Sequence, residues 1–237
     1  MLRILRNSIL ILGIICAPAW AGLNPYIAGI VSSSSGSGTI SYGSYASQST
    51  SSASCVISKP TGTAEGDLLI VALIDDAAGN PTLPDGWTLI NDIESSSSEL
   101  TVAYKVAGGS EGSDYTFAGT GCEIRGIISR FTKSAGTWDI EASSEAAEVT
   151  AVATITTASV TATDNSMLFV AYGSDDTSGG SISTGPADMT QIAGILVETA
   201  IVTTYYQARS AGAVTKSITF SDIGNLTAIA VVIDLVE

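Results

Sequence analysis

The sequence contains no histidine, and its 237 residues hold only 9 lysines and arginines against 23 aspartates and glutamates. Without histidine the chain lacks the commonest general base near neutral pH and the commonest transition-metal ligand. With so few cations and a net charge of -14 it shows no basic face, so nucleic acid is excluded as a partner. Charged residues make up 14%, well below the usual quarter or so, and aromatics 6%, which is poor material for a sugar platform. There is no phosphate-binding loop, because "GGSEGS" has no lysine and no helix signal after it. A serine hydrolase would have to use a Ser-Lys pair, and none of Lys59, Lys105, Lys133 and Lys216 lies in a nucleophile motif. The only sustained apolar run near the start, Ile9 to Ile15, is too short to span a bilayer, so no stable transmembrane segment is expected.

Residues 1–21 have the parts of a secretory leader. Arg3 and Arg6 precede the apolar run, and Ala19-Trp20-Ala21 is a small-x-small cleavage pattern; the other reading is an apolar N-terminal segment that is retained. Export would place the protein outside the cell, at the cell surface or on a virion. It would leave Cys55 and Cys122 as the remaining cysteines, which invites one disulfide between them, against the alternative of two separate buried thiols.

Serine, threonine and glycine supply the missing polarity, a mixture suited to strands and tight turns. Residues 22–54 are a Ser/Gly-rich linker in which "GTISYGSY" alternates enough for an edge strand. From residue 55 onward short apolar or alternating stretches alternate with turn signals. Leu68 to Ile74 is apolar throughout, as a strand covered on both faces would be.

The chain also echoes itself. "LLIVA" aligns with "MLFVA", "PDGWTLI" with "PADMTQI", "YKVAGGSEG" with "YQARSAGAV", "YTF" with "ITF" and "GIISRF" with "AVVIDL". The expected fold is therefore all-β: an antiparallel, jelly-roll-like β-sandwich over 55–237, built from pseudo-repeats 55–131 and 150–236. A single sandwich with interleaved halves is favoured over two packed lobes. The intervening stretch is polar, but Trp138 and Ile140 could pack.

The stretch "KPTGTAEGDLLIVALI…LPDGWTLI…AYKVAGGSEGSDYTF…GIISRF" resembles a β-sandwich module of phage tail or fibre-associated proteins and of bacterial secreted surface proteins. The second repeat shares the pattern faintly and lacks its Trp and Lys. The shared motifs are turns and core residues, and no catalytic residue travels with them. The resemblance implies display on a particle or cell surface.

Two acidic pairs end apolar runs: Asp75-Asp76 and Asp175-Asp176. As matched loops they are candidate calcium ligands, with Asn80 near the first; the other reading is that they solvate strand ends. No other cofactor is expected. Trp87 is expected in the core. Tyr205 and Tyr206 are adjacent on a strand and so point to opposite faces, making one of them a candidate ligand contact. The functional expectation is a non-catalytic structural or adhesive protein of a virion or cell surface. Its partners would be further copies of itself, other structural proteins of the same particle or surface, or a glycan. The alternatives are a secreted carbohydrate-binding module and a glycoside hydrolase using paired carboxylates.

Overall fold

A computed structural model describes residues 38–77, 79–95, 98–121, 123–175, 180–197 and 200–237, and contains no helix among them. The first half supplies seven strands: β1 (Ile40–Thr50), β2 (Ser54–Ser58), β3 (Leu68–Asp75), β4 (Thr88–Ser95), β5 (Ser98–Val106), β6 (Asp114–Ala118) and β7 (Ile124–Lys133). The second supplies eight: β8 (Thr137–Thr156), β9 (Val160–Ala162), β10 (Met167–Asp175), β11 (Ile182–Thr184), β12 (Thr190–Val197), β13 (Ala200–Ala208), β14 (Gly212–Val214) and β15 (Ser217–Val236).

Each half builds its own main sheet and its own covering ribbon. The first sheet runs β1-β7-β3-β5-β4 and its ribbon is β2-β6. The second runs β12-β13-β10-β15, with β8 and β11 also on β15, and its ribbon is β9-β14. All pairings are antiparallel. The chain leaves the main sheet for the ribbon and returns, which is the jelly-roll-like feature. Thr82, in the connection after β3, adds a bridge to Ala118 at the ribbon edge.

The two main sheets pack face to face, which explains the continuous apolar strands. Leu68, Ile70, Ala72 and Ile74 of β3 meet Met167, Phe169 and Ala171 of β10 in one shared core. The alternate residues Leu69, Val71 and Leu73 face β2-β6, and Leu168, Val170 and Tyr172 face β9-β14. Both central strands are thus buried on two faces, where each large aliphatic side chain contributes about 1.5–3 kcal/mol. The halves are not interleaved, contrary to the favoured expectation. The hydropathy pattern fits either arrangement, because both bury β3 and β10 on both sides.

The duplication is reproduced in fine detail. Phe131 pairs with the first residue of β3, and Ile233 with the first of β10, so these two positions correspond. Tyr42 opposite Phe131 then corresponds to Ile140 opposite Ile233, making β8 the counterpart of β1. Each of these strands carries a bulge at the next residue, Gly43 or Glu141. A second bulge recurs at Ile90 in β4 and Ile192 in β12. The turn before the central strand takes a left-handed residue in both halves, Gly66 (φ 86°) and Asn165 (φ 66°). So does the turn before the fourth strand, with Gly86 (φ 82°) and Asp188 (φ 60°). Gly, Asn and Asp are the residues that tolerate that conformation.

Two of the sequence alignments are corrected. "GIISRF" is the counterpart of "AIAVVI", two residues before "AVVIDL"; a two-residue slip preserves which face each side chain takes, so hydropathy cannot detect it. Ile218-Thr219-Phe220 is not the counterpart of Tyr115-Thr116-Phe117. It lies in β15 against β8 and β11, while β14 takes the ribbon position of β6.

Across the shared core β1 lies over β12 and β4 lies over β8. Because β8 corresponds to β1 and β12 to β4, the relation is reciprocal. The two halves pack as an isologous pair within one chain, about a pseudo-two-fold axis.

Candidate functional site

The acids at the end of β3 are tied into the scaffold. Asp75 is fully buried. Its Oδ2 accepts from the Thr120 N–H at 2.7 Å and its Oδ1 from the Gly121 N–H at 3.1 Å. Asp76 Oδ1 accepts from the Glu123 N–H at 3.0 Å. Both carboxylates thereby fasten the β6-β7 connection to the end of β3, and charge-assisted bonds to backbone N–H groups are strong ones. Glu123 in turn pairs with Arg125 at 2.5 Å, and Arg125 is 2% exposed.

Glu99 is a buried acid that the sequence did not single out. It is the second residue of β5, opposite Asp75, and is 3% exposed. Its Oε2 accepts from the Gly79 N–H at 2.8 Å. The Asn80 side-chain nitrogen donates to Glu99 and, at 3.1 Å, to Asp92 Oδ2. Burial pushes the Glu99 carboxyl above the usual carboxylate range; the Gly79 N–H opposes this and the neighbouring Asp92 and Glu94 add to it. An acid falling in register with another acid was the available signal.

The two acidic pairs are not matched. Asp75 pairs with Glu99 in β5, and the corresponding position in β13 is Ile201, whose partner in β10 is Ser174. The second pair begins one residue later, at Asp175 opposite Ala200 of β13. Asp175 closes β10; its side chain and Asp176 lie outside the described residues. Among the described residues no three His, Cys, Asp or Glu side chains gather as metal ligands.

The aromatic candidates are internal as well. Trp87 is 8% exposed and meets Tyr115 and Phe117 edge-on, each at 5.3 Å between centroids, as expected of a core residue. Tyr205 and Tyr206 do point to opposite faces, but neither is exposed. Tyr205 packs edge-on against Tyr172 under the ribbon, and Tyr206 is half-buried in the shared core, stacked on Tyr42 at 4.8 Å. The expectation that one faces solvent fails because both faces of that strand are covered. Among the described residues the exposed ring is Tyr45 of β1, at 47%.

The lysines are likewise engaged. Lys105 pairs with Glu111 at 3.2 Å, and Glu111 also accepts from Tyr115 Oη at 2.9 Å. Burial, then Glu111, pushes the Tyr115 phenol upward. Lys59 donates to the Glu111 carbonyl at 3.3 Å and Lys216 to the Ala187 carbonyl at 2.8 Å, while Lys133 sits 5.2 Å above the Trp138 ring. Cys55 is a buried free thiol, pushed up to about 11 by burial, so it is held un-ionised. Its expected disulfide partner, Cys122, lies outside the described residues. Among those residues, no helix is long and apolar enough to cross a membrane.

No family model, curated protein or solved structure matches the chain. What the arrangement does chemically is bind its own loops: carboxylates hold backbone N–H groups, lysines hold carbonyls and a carboxylate, and rings fill the layers.

Proposed function

We propose that the protein is a non-catalytic structural or adhesive component displayed outside the cell, on a cell surface or a virion. The observation that carries this reading is the internal use of its chemistry-bearing side chains. Asp75, Asp76, Glu99, Glu111 and the lysines serve loops and turns, and Trp87, Tyr205 and Tyr206 serve the core. The leader-like residues 1–21 and the resemblance of residues 55–131 to surface and tail modules support the location. A rigid stack in which both central strands are buried on two faces suits a part that bears load or presents a surface.

The test is immunogold labelling of producing cells and of particles they release, with antibody raised against the purified chain. Label on the outer surface of either is expected. Label confined to the cell interior would sink the reading, as would release of reducing ends from a polysaccharide panel by the purified chain.

A carbohydrate-binding role is the second reading, and exposed Tyr45 favours it, since a ring at 47% exposure can stack on a sugar face. Saturable binding on a glycan array that disappears in Tyr45→Ala would establish it; an array without signal would remove it.

A further inference from the structure

The four outer strands of the two main sheets differ in one respect that the duplication makes easy to see. β1 and β8 occupy corresponding edges, as do β4 and β12. β8 carries Asp139, Glu141, Glu145 and Glu148, all exposed, while β1 carries no charged residue in its 11. β4 carries Asp92 and Glu94, while β12 carries no charged residue in its 8. Each corresponding pair therefore has one acidic edge and one neutral edge.

The packing then sorts them. Since β4 lies over β8 and β1 over β12, both acidic edges fall on one flank of the sandwich and both neutral edges on the other. The bulges do not account for this, because they recur at corresponding positions on all four strands. Charge on an edge strand is the device that discourages pairing with another chain, and its absence leaves a row of backbone donors and acceptors available. In a chain of net charge -14, freedom from charge along two stacked edge strands is a specific property.

We propose that the β1/β12 flank is a docking surface for a second copy of this chain. Two molecules of equal negative charge approach at least electrostatic cost where neither carries any, and the neutral flank is that place. A two-fold axis perpendicular to the sheets sets β1 antiparallel to the partner's β1 and β12 antiparallel to the partner's β12. An antiparallel ladder between identical strands needs no sequence complementarity beyond neutral, extended backbone. Tyr45, exposed on β1, lies on this flank and gains cover from the partner. The acidic β4/β8 flank stays unpaired, so the isologous contact closes at a dimer and does not propagate into a fibre. This names the partner in the display reading. It rests on edge chemistry, so a surface-located monomer would sink this inference alone and an intracellular dimer the display reading alone.

The experiment transfers the acidic pattern of β8 to β1. Ser41 and Ser47 correspond to Asp139 and Glu145 through their partners in β7 and β15. Sedimentation velocity on the full chain as purified from its producing cell is expected to give twice the single-chain mass. Ser41→Asp/Ser47→Glu is expected to give the single-chain mass with an unchanged β-sheet circular dichroism spectrum. Hydrogen exchange of the wild type supplies a readout independent of the variant: β1 amides should lose protection on dilution while β3 amides do not. A wild type that is monomeric at every concentration overturns the proposal, and so does a dimer that survives the double substitution. Should the variant fail to fold, β1 protection that is indifferent to dilution overturns it as well.

Discussion

Arg130→Val is the substitution that best probes the correspondence between the halves. Arg130 Nε donates to Asp67 Oδ2 at 2.6 Å, with the two side chains 17% and 11% exposed. Unit charges about 4 Å apart interact by about 4 kcal/mol at the effective dielectric near a protein surface. Removing one member of a fully buried pair costs roughly 3–5 kcal/mol, chiefly from the charge left behind. The remaining exposure lowers this, so Arg130→Val alone should cost about 2–3 kcal/mol, a fall of roughly 4–12 °C in Tm for a chain of this size. The second half shows what replaces the pair: Ser166 and Val232 stand where Asp67 and Arg130 stand. Ser166 Oγ donates to the Thr163 carbonyl at 2.8 Å, so a serine there still organises the turn. Asp67→Ser/Arg130→Val should therefore recover most of the loss, within about 1 kcal/mol of wild type, as replacing both partners of a buried pair commonly does. The assay is a double-mutant cycle by urea unfolding, and the expected coupling is about 2 kcal/mol. If the two single losses simply add, the second half is not a usable template for the first and the correspondence has no energetic content.

Three further outcomes follow from the same geometry. Glu99→Gln should stabilise the protein at neutral pH: burial raises the carboxyl in the folded state, so native stability is fully present below the unfolded value near 4.3 and falls as pH rises through the raised one; thermal melts should show the variant's advantage shrinking below about pH 4. Phe169→Ala, which removes a ring packed edge-on against Phe131 at 6.2 Å, should cost about 3–5 kcal/mol and lower unfolding of both sheets together, read as coincident loss of circular dichroism and tryptophan fluorescence; separate transitions would contradict a shared core. Chelation of calcium should leave Tm unchanged, because the Asp75 oxygens already accept from Thr120 and Gly121; a Tm that climbs with added millimolar calcium would contradict that assignment.

How much of this the sequence carried depends on which question is asked of it. Two-sided burial of β3 was legible because an unbroken apolar run has no solvent face to give away. The all-β class and the duplication were legible for the same reason, together with turn residues that recur as Gly66 and Asn165 or Gly86 and Asp188. Strand β1 showed only as an alternation inside Ser/Gly-rich sequence. β8 was hidden although Trp138, Ile140, Ala142 and Ala146 all turn toward one core or the other, because exposed acids between them read as a polar connection. The acidic pairs misled for a sharper reason. With Leu68 aligned on Met167, β10 runs one residue further than β3 before its first acid, so the two pairs agree in their place at a strand end and not in register. Tyr206 misled because strand alternation gives two faces but not what covers them.

The divergence of the two halves is itself informative. Gly43 and Glu141 are the same bulge, yet one is glycine and the other a long acid. At Gly43 a Cβ would come within 2.8 Å of the Arg130 guanidinium, so a side chain there has to displace the group that pairs with Asp67. In the second half Val232 takes the place of Arg130, and exposed Glu141 stands at the bulge with its carboxylate accepting from Thr163 Oγ1 at 3.0 Å. The Arg130 guanidinium thus crowds the bulge on β1, where glycine stands, and Val232 in its place leaves no such group beside the bulge on β8, where an acid stands. One exchange, at a turn, sets part of the difference between a neutral edge and a charged one. On this reasoning Gly43→Ala should cost more in the wild type than beside Asp67→Ser/Arg130→Val. A Gly43→Ala penalty that persists in that background would separate the two features and leave the neutral edge to be explained by β1 alone.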